Sequence, residues 1–333
     1  MKPVLVYGAT GHTGRFVVDE LRRQGLPVAV SGRNADALES VADGEPIHPA
    51  AADDSDALDR ALATAAAVIN CAGPFAVTAA PLIAAAGRAG IPYVDVAAEI
   101  EANVDTFARR STTPVVPAMA FYGGLGDLLA TAALDGHTKA DEVHVAYGLS
   151  SWHPTPGTRL AGRVSHDRRG GRRVRFTGGV LRYHDDPPTE QDWEFPQLGI
   201  RRVIPEFSMA DLVTIPSHLT VPEVRTYMTT TAAHDLADQN TPPPVGRSDQ
   251  TFVVDVIVNA DGRRHRATAH GEDIYAITAP LAVGAVVRLL DGRSHTQGVA
   301  SAGAAFDALE FLRTLPLVLG GVGADLGGFQ GGV

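Results

Sequence analysis

The chain reads as an α/β protein: a doubly wound parallel sheet first, then a second α+β, mostly antiparallel substrate domain, with C-terminal helices returning to the first domain. Three observations predict this. Short apolar runs alternate with amphipathic helical segments over the first part, the pattern of parallel strands joined by crossover helices. A glycine-rich turn, Gly8-Ala9-Thr10-Gly11-His12-Thr13-Gly14, joins the first strand to the first helix. After about Asp141 strand-like segments follow one another through Pro- and Gly-rich connections. The expected division is 1–138, 139–272 and 273–333.

Strands are expected at 3–7, 27–31, 67–71, 93–96 and 114–117, each a short buried apolar run. Between them helices are expected at 12–25, where Phe16, Val17 and Leu21 share a face, at 34–42 with Asn34 as N-cap, and at 54–64, 79–89 and 100–110. Segments 143–148, 172–177, 201–204, 223–230 and 252–258 read as strands of the second domain. Residues 253–258 and 264–269 flank Asn259-Ala260-Asp261-Gly262, a hairpin signal. Helices are expected again at 275–290 and 302–314. The glycine-rich tail from Gly320 is expected to be loosely held or swapped onto a partner.

Composition sets bounds on function. The 333 residues are 45% hydrophobic and 20% charged, with a formal charge of −10. At this length one core stops growing, so two domains are natural. The acidic balance argues against nucleic-acid binding. No apolar stretch reaches membrane-spanning length and residues 1–8 are too short a run for a signal peptide, so the expectation is a soluble, cytoplasmic protein. One cysteine, Cys71, cannot staple the fold. Lysine occurs only at Lys2 and Lys139, and no tyrosine precedes Lys139 by four residues. A Tyr-x-x-x-Lys proton relay is therefore excluded.

The glycine turn is the strongest chemical signal. A dinucleotide diphosphate needs a tight turn, close backbone approach and free amides at a helix N-terminus. Gly8 can make the turn, Gly11 can let the backbone touch phosphate, and Gly14 can let helix and strand pack closely. The strand, loop and helix fall where a Rossmann-type domain requires them. At the end of the second strand, Ser31-Gly32-Arg33-Asn34 offers no carboxylate for a ribose 2′-hydroxyl. Arg33 can pair with a 2′-phosphate and Ser31 can donate to it, which selects NADP(H) over NAD. After the strand at 67–71, Gly73 and Pro74 turn the chain where the nicotinamide ribose would lie, and Phe75 can wall the ring. Cys71 lacks an activating base and reads as a small buried residue.

Together, Gly8–Gly14, Ser31-Gly32-Arg33, Asn70–Phe75 and Tyr93-Val94-Asp95-Val96-Ala97-Ala98-Glu99 resemble the saccharopine dehydrogenase-like family of saccharopine reductases, carboxynorspermidine synthases and trans-acting enoyl reductases. The resemblance is specific over the first third of the chain. It implies cofactor contacts from Gly8, Thr10, Gly11, His12, Thr13, Gly14, Ser31, Arg33, Ala72, Gly73, Pro74 and Phe75, and hydride transfer to a C=N or C=C bond. Two departures stand out. Ala98 replaces a frequent glycine, and Ala120–Asp127 keeps Phe121 and Asp127 of a family-like stretch but carries Tyr122 for an acid and Leu125 for a proline. That stretch would border the nicotinamide, so the implied substrate differs from those of familiar members. The chain is also short for the family, implying a trimmed substrate domain.

Proton handling falls to Asp95, Glu99 or Tyr122, all at the carboxyl rim of the sheet, although each also has a structural alternative as cap, first-turn residue or packing group. In the loop 152–159, Trp152 and His153 could wall a substrate and Arg159 could clamp a carboxylate. Arg168-Arg169-Gly170-Gly171-Arg172-Arg173 reads as a solvated hairpin tip, or else as a dock for an acidic carrier protein or a coenzyme-A tail. His184-Asp185-Asp186 and the His265/His270 pair lack ligand spacing, so no metal is expected. The expectation is an NADP-dependent oxidoreductase acting on a small molecule, as a homo-oligomer, a dimer. The rivals are an NADP(H)-binding redox sensor and a non-redox enzyme that uses a bound nucleotide.

Overall fold

The structure is a computed structural model that describes residues 2–294 and 296–321. Val4-Leu5-Val6-Tyr7 is apolar throughout because β1 (Val4–Tyr7) is buried on both faces at the centre of a parallel sheet. Around it run α1 (His12–Arg23), β2 (Val28–Gly32), α2 (Ala35–Glu39), β3 (Ile47–Pro49), α3 (Ser55–Leu62), β4 (Ala67–Asn70), α4 (Phe75–Ala89), β5 (Tyr93–Asp95), α5 (Ile100–Phe107) and β6 (Val115–Val116). The strand order is β3-β2-β1-β4-β5-β6, with every pairing parallel. The order reverses between β1 and β4, and the carboxyl ends of those strands are where such a sheet opens a crevice.

Asn34 caps α2, its side chain accepting from the Ala37 N–H at 3.1 Å. Strand β3 was not expected from sequence; at three residues, two of them half-buried, it has no readable periodicity. Helix α4 starts at Phe75, four residues before the expected position, directly after Pro74.

The second half begins with a wide turn (Phe121–Leu125) running into α6 (Gly126–Ala133), followed by β7 (Glu142–Leu149), α7 (Pro156–Arg168), β8 (Arg173–Thr177), β9 (Val180–His184), β10 (Gln191–Phe195), β11 (Gly199–Pro205), α8 (Asp211–Thr214), β12 (Glu223–Thr229), α9 (Thr230–Ala237), β13 (Thr251–Ala260) and β14 (Arg263–Glu272). The chain closes with α10 (Thr278–Leu290), α11 (Ala302–Ala305), α12 (Ala308–Arg313) and β15 (Val318–Gly320). The second sheet runs β10-β11-β12-β7-β13-β14-β15, with β8 and β9 attached at β12. Within this second sheet only β12 and β7 pair in parallel among the described strands. Asp261 and Gly262, both with positive φ, make the two-residue turn of the β13–β14 hairpin. Beyond Gly321 the glycine-rich tail, expected to be loose or swapped, lies outside the described residues.

Period-two alternation sets the second sheet's faces. Val143, Val145 and Tyr147 of β7 and Val254, Val256 and Val258 of β13 join the main core, while Ala146 and Val253 face a smaller cluster with Phe195 and Tyr227. The main core is continuous with one face of the first sheet through Val6, Ile69 and Val94. Helix α10 returns to that sheet, packing on α1, β4 and β5, and α6 packs against β13 and β14. The expected single helix at 302–314 is instead two, because Asp307 takes the N-cap position of α12 and accepts from the Glu310 N–H at 2.9 Å.

Buried Asp127 ties α6 to both neighbours: His218 lies 2.7 Å from Oδ1, and the Gly303 N–H donates to Oδ2 at 2.7 Å. Burial disfavours the His218 imidazolium, but the Asp127 charge and hydrogen bond outweigh it and raise the pKa above the ordinary value. Protonated His218 therefore favours the fold. Stability from this pair is full below the unfolded-state value of about 6.5 and is lost as pH rises through the higher folded-state value. Denaturant melts of wild type should lose stability across that window, and His218→Asn should flatten this part of the profile; an unchanged slope contradicts the assignment.

Candidate active site

Three glycines shape the turn at the carboxyl end of β1. Gly8 has φ +83, and a Cβ there would lie 2.8 Å from the Ala72 Cβ. A Cβ on Gly14 would lie 2.1 Å from the Gly8 carbonyl oxygen. A side chain at Gly14 would push α1 away from the end of β1, and one at Gly8 would drive that turn away from Ala72. Gly11 is the N-cap of α1 and supplies no side-chain cap, so the first-turn amides of His12, Thr13 and Gly14 are free for an anion. This cradle, closed to any Cβ and lined by amides, fits a dinucleotide diphosphate.

At the end of β2, Arg33 is exposed and makes no hydrogen bond or ion pair among the described residues. Its position and free guanidinium suit a 2′-phosphate. Ser31 does not share that role. Its hydroxyl is buried and donates to the His48 carbonyl at 2.7 Å, tying β2 to β3.

Asn70 ends β4 and fixes the next turn. Its side chain accepts from the Ala72 N–H at 3.0 Å and donates to Thr78 and Tyr93, both at 3.1 Å. The turn through Gly73 and Pro74 delivers Phe75 to the start of α4, where its N–H donates to Glu99 Oε1 at 3.0 Å. Glu99 is 6% exposed, and its Oε2 has no hydrogen-bond partner. Burial pushes its pKa up to about 7, against the hydrogen bond from Phe75 and with help from the charge of Asp95. A carboxyl group near neutrality, held by one oxygen and idle at the other, is equipped to exchange a proton at physiological pH.

Asp95 is different. It is fully buried, accepting from Tyr93 Oη at 2.9 Å and from the N–H groups of Ala97 at 3.0 Å and Ala118 at 2.9 Å. It does not line the cavity. The expected catalytic role is therefore corrected: Asp95 is a buried strut that joins the ends of β5 and β6.

Gly11, His12, Thr13, Gly73, Phe75 and Glu99 open into one cavity of about 1330 Å³, whose far wall comes from the second half of the chain. Tyr122 lines it from the wide turn, where it packs on Tyr147 and Trp152 at ring separations of 5.0 and 5.4 Å. Its buried hydroxyl has no partner, and burial raises its pKa, so it is a neutral donor. The rest of the family-like stretch departs from expectation: Asp127 faces His218 and Gly303 rather than the cavity.

Trp152 is a buried wall residue, its Nε1–H donating to Tyr275 Oη at 3.1 Å. His153 is not in the wall; its Nδ1 lies 3.2 Å from the Pro242 carbonyl. Arg159 borders the cavity, but its guanidinium donates to the carbonyls of Leu236, Asp238 and Thr241 at 2.8–3.1 Å. It fastens the end of α9 and is not a free clamp. From Pro156 onward the expected loop is α7, capped by Thr155 with Pro156 in its first turn. The basic run is the mostly exposed turn between α7 and β8, but two of its arginines are engaged. Arg168 pairs with Asp105 at 2.8 Å and Arg169 with Glu101 at 3.5 Å, holding α7 to α5.

Sequence reasoning missed Tyr275. Its hydroxyl accepts from Trp152 and from the Thr155 N–H at 3.2 Å, and its ring stands edge-on to His12 at 5.1 Å. Nothing local marks it, since its partners lie more than a hundred residues away. His12 itself carries a buried Nε2 without a partner, and burial lowers its pKa, leaving a neutral ring beside the glycine turn.

Residues 4–119 match the family described as saccharopine dehydrogenase NADP binding domain, which bears out the resemblance drawn from the sequence; this part of the chain is an NADP-binding domain of that type. A probable mitochondrial saccharopine dehydrogenase-like oxidoreductase of Arabidopsis thaliana is 30% identical over 142 residues, covering 35% of this chain and 31% of that protein. The trans-acting enoyl reductase of Mycobacterium tuberculosis is 30% identical over 106 residues, 29% of this chain and 25% of that protein. The match thus spans less than a third of these relatives' length. Apo saccharopine dehydrogenase (L-Glu forming) of Saccharomyces cerevisiae superposes over 97% of this chain and 100% of that one, with a TM-score of 0.65 and 14% identity. The whole fold, both sheets included, is of that kind. No helix among the described residues is long and apolar enough to cross a membrane.

Removing the Asp95 carboxylate leaves three buried donors unpaired, at about 1–3 kcal/mol each when nothing replaces the partner. Asp95→Ala should therefore lose at least about 2 kcal/mol in a denaturant melt; wild-type stability with abolished turnover would restore the catalytic assignment.

Proposed function

We propose that the protein is an NADP-dependent oxidoreductase that reduces a C=N or C=C bond of a small molecule held between the glycine turn and the wall formed by Tyr122 and Trp152. The observation that carries this is Glu99: a buried carboxyl with a pKa of about 7, facing the same cavity as the first turn of α1. When bound, NADPH supplies a hydride from its nicotinamide ring.

The first-turn amides of α1 hold the diphosphate, and Arg33 pairs with the 2′-phosphate. Phe75 and the turn at Gly73 and Pro74 wall the nicotinamide end. The apolar wall excludes water, which keeps the hydride from side reactions and strengthens the polar contacts inside. Reduction adds a hydride to one atom of the double bond and a proton to its neighbour. Glu99 in its neutral form gives that proton from Oε2 and regains one from solvent, while the Phe75 N–H stabilises the carboxylate left behind. Tyr122 donates a hydrogen bond to the acceptor, polarising it. A carrier-protein- or coenzyme-A-linked substrate, a dimeric state and a cytoplasmic location belong to this reading as the expectations formed from the sequence.

Two measurements test it. Glu99→Gln keeps the shape but cannot exchange a proton, so kcat should fall about 10²–10⁴-fold with NADPH affinity unchanged, and the wild-type rate should decline as pH rises past about 7. A rate indifferent to both the substitution and pH would remove Glu99 from the chemistry. Arg33→Ala should weaken NADPH about 10- to 100-fold, the worth of a charge-assisted contact, while NADH is little affected; equal losses would remove the 2′-phosphate contact.

A further inference from the structure

Arg169 follows the last residue of α7 and lines the cavity with its side chain only 13% exposed. Its charged partner, Glu101, lies at 3.5 Å, long for a charge-assisted hydrogen bond. Glu101 has a nearer partner in the Ser165 hydroxyl. The Nε of Arg169 is buried and has no partner. A guanidinium sequestered with idle donors is unfavourable until an acceptor completes it. The other cavity-lining arginines differ: Arg159 serves three carbonyls, Arg173 donates to the Pro205 carbonyl at 2.6 Å, and Arg163 is exposed.

We propose that Arg169 is the recognition group for a carboxylate carried by the substrate. This rests on the cavity being the active site. Glu99 and Arg169 line the same cavity, so one molecule seated there can touch both groups. The planar fork of Arg169 suits a carboxylate in two-point contact, and Glu101 competes for it until the ligand arrives. The two acidic and basic partners thus have opposite effects on binding, which a purely structural clamp between α5 and α7 would not show.

Malonate and inorganic phosphate, titrated separately by calorimetry without NADPH, test the assignment on wild type, Arg169→Met, Arg169→Lys and Glu101→Gln, with circular dichroism confirming that each variant is folded. Malonate should bind wild type saturably, bind Arg169→Met about tenfold or more weakly, and bind Glu101→Gln more tightly than wild type. Arg169→Lys keeps the charge but loses the fork and should fall between, which preserves the test if the methionine variant does not fold. Absent malonate binding, equal binding to wild type and the Arg169 variants, or weakened binding in Glu101→Gln overturns the proposal. Phosphate binding more tightly than malonate replaces the carboxylate by a phosphate and overturns it too. NADPH affinity, read by fluorescence, should be the same in wild type and Arg169→Met; a tenfold loss assigns the guanidinium to the cofactor. If NADPH binds neither protein while malonate behaves as expected, the cofactor reading fails and the anion site stands.

Discussion

The site depends on how closely three stretches of backbone meet at Gly8. Its N–H donates to the Ser31 carbonyl at 2.8 Å, the Cys71 N–H donates to the Tyr7 carbonyl at 2.8 Å, and the Gly11 N–H returns to the Gly8 carbonyl at 3.0 Å. With Gly14 packed on that same carbonyl, β1, β2, β4 and the start of α1 have one relative placement. The free amides of α1, the guanidinium of Arg33 and the turn at Gly73 follow from it. Glycine is required at Gly14 by contact distance, and at Gly8 by both contact distance and its φ of +83.

The second constraint is dielectric. Closing the cavity with Trp152, Phe207 and Met209 from the second half places Glu99 where ionisation is unfavourable. The neighbouring carboxylate, Asp95, is more deeply buried yet accepts three hydrogen bonds. Two acids four residues apart thus serve different ends: Asp95 joins strands, whereas Glu99 keeps a free oxygen. Tyr275 links this environment to the glycine turn, because it packs on His12 while holding the loop that carries Trp152.

The first sheet was legible because parallel strands buried on both faces give unbroken apolar runs, and because the glycine spacing has a mechanical reason. Only β3 escaped, being three residues long. In the second half, α7 was obscured by Gly157, Gly162 and a series of arginines, although Thr155-Pro156 marks its start. Helix α6 was hidden behind Gly123, Gly124 and Gly126, where Gly123 has φ +97 and Gly126 lies against Asp211. Residue type alone identified Glu99, Tyr122 and Arg33 as candidates. It could not separate Glu99 from Asp95, or Arg169 from Arg159, since each distinction rests on partners distant in sequence. Ser31 and His153 failed for the same reason: their polar atoms are already occupied by the carbonyls of His48 and Pro242.

In a crystal structure grown with NADP⁺ the diphosphate should lie on the amides of residues 11–14, the 2′-phosphate at Arg33, and the nicotinamide inside the cavity with its reactive carbon facing the side of Glu99 and Tyr122. A diphosphate bound elsewhere, or a nicotinamide lying outside the cavity away from Glu99, would contradict this arrangement.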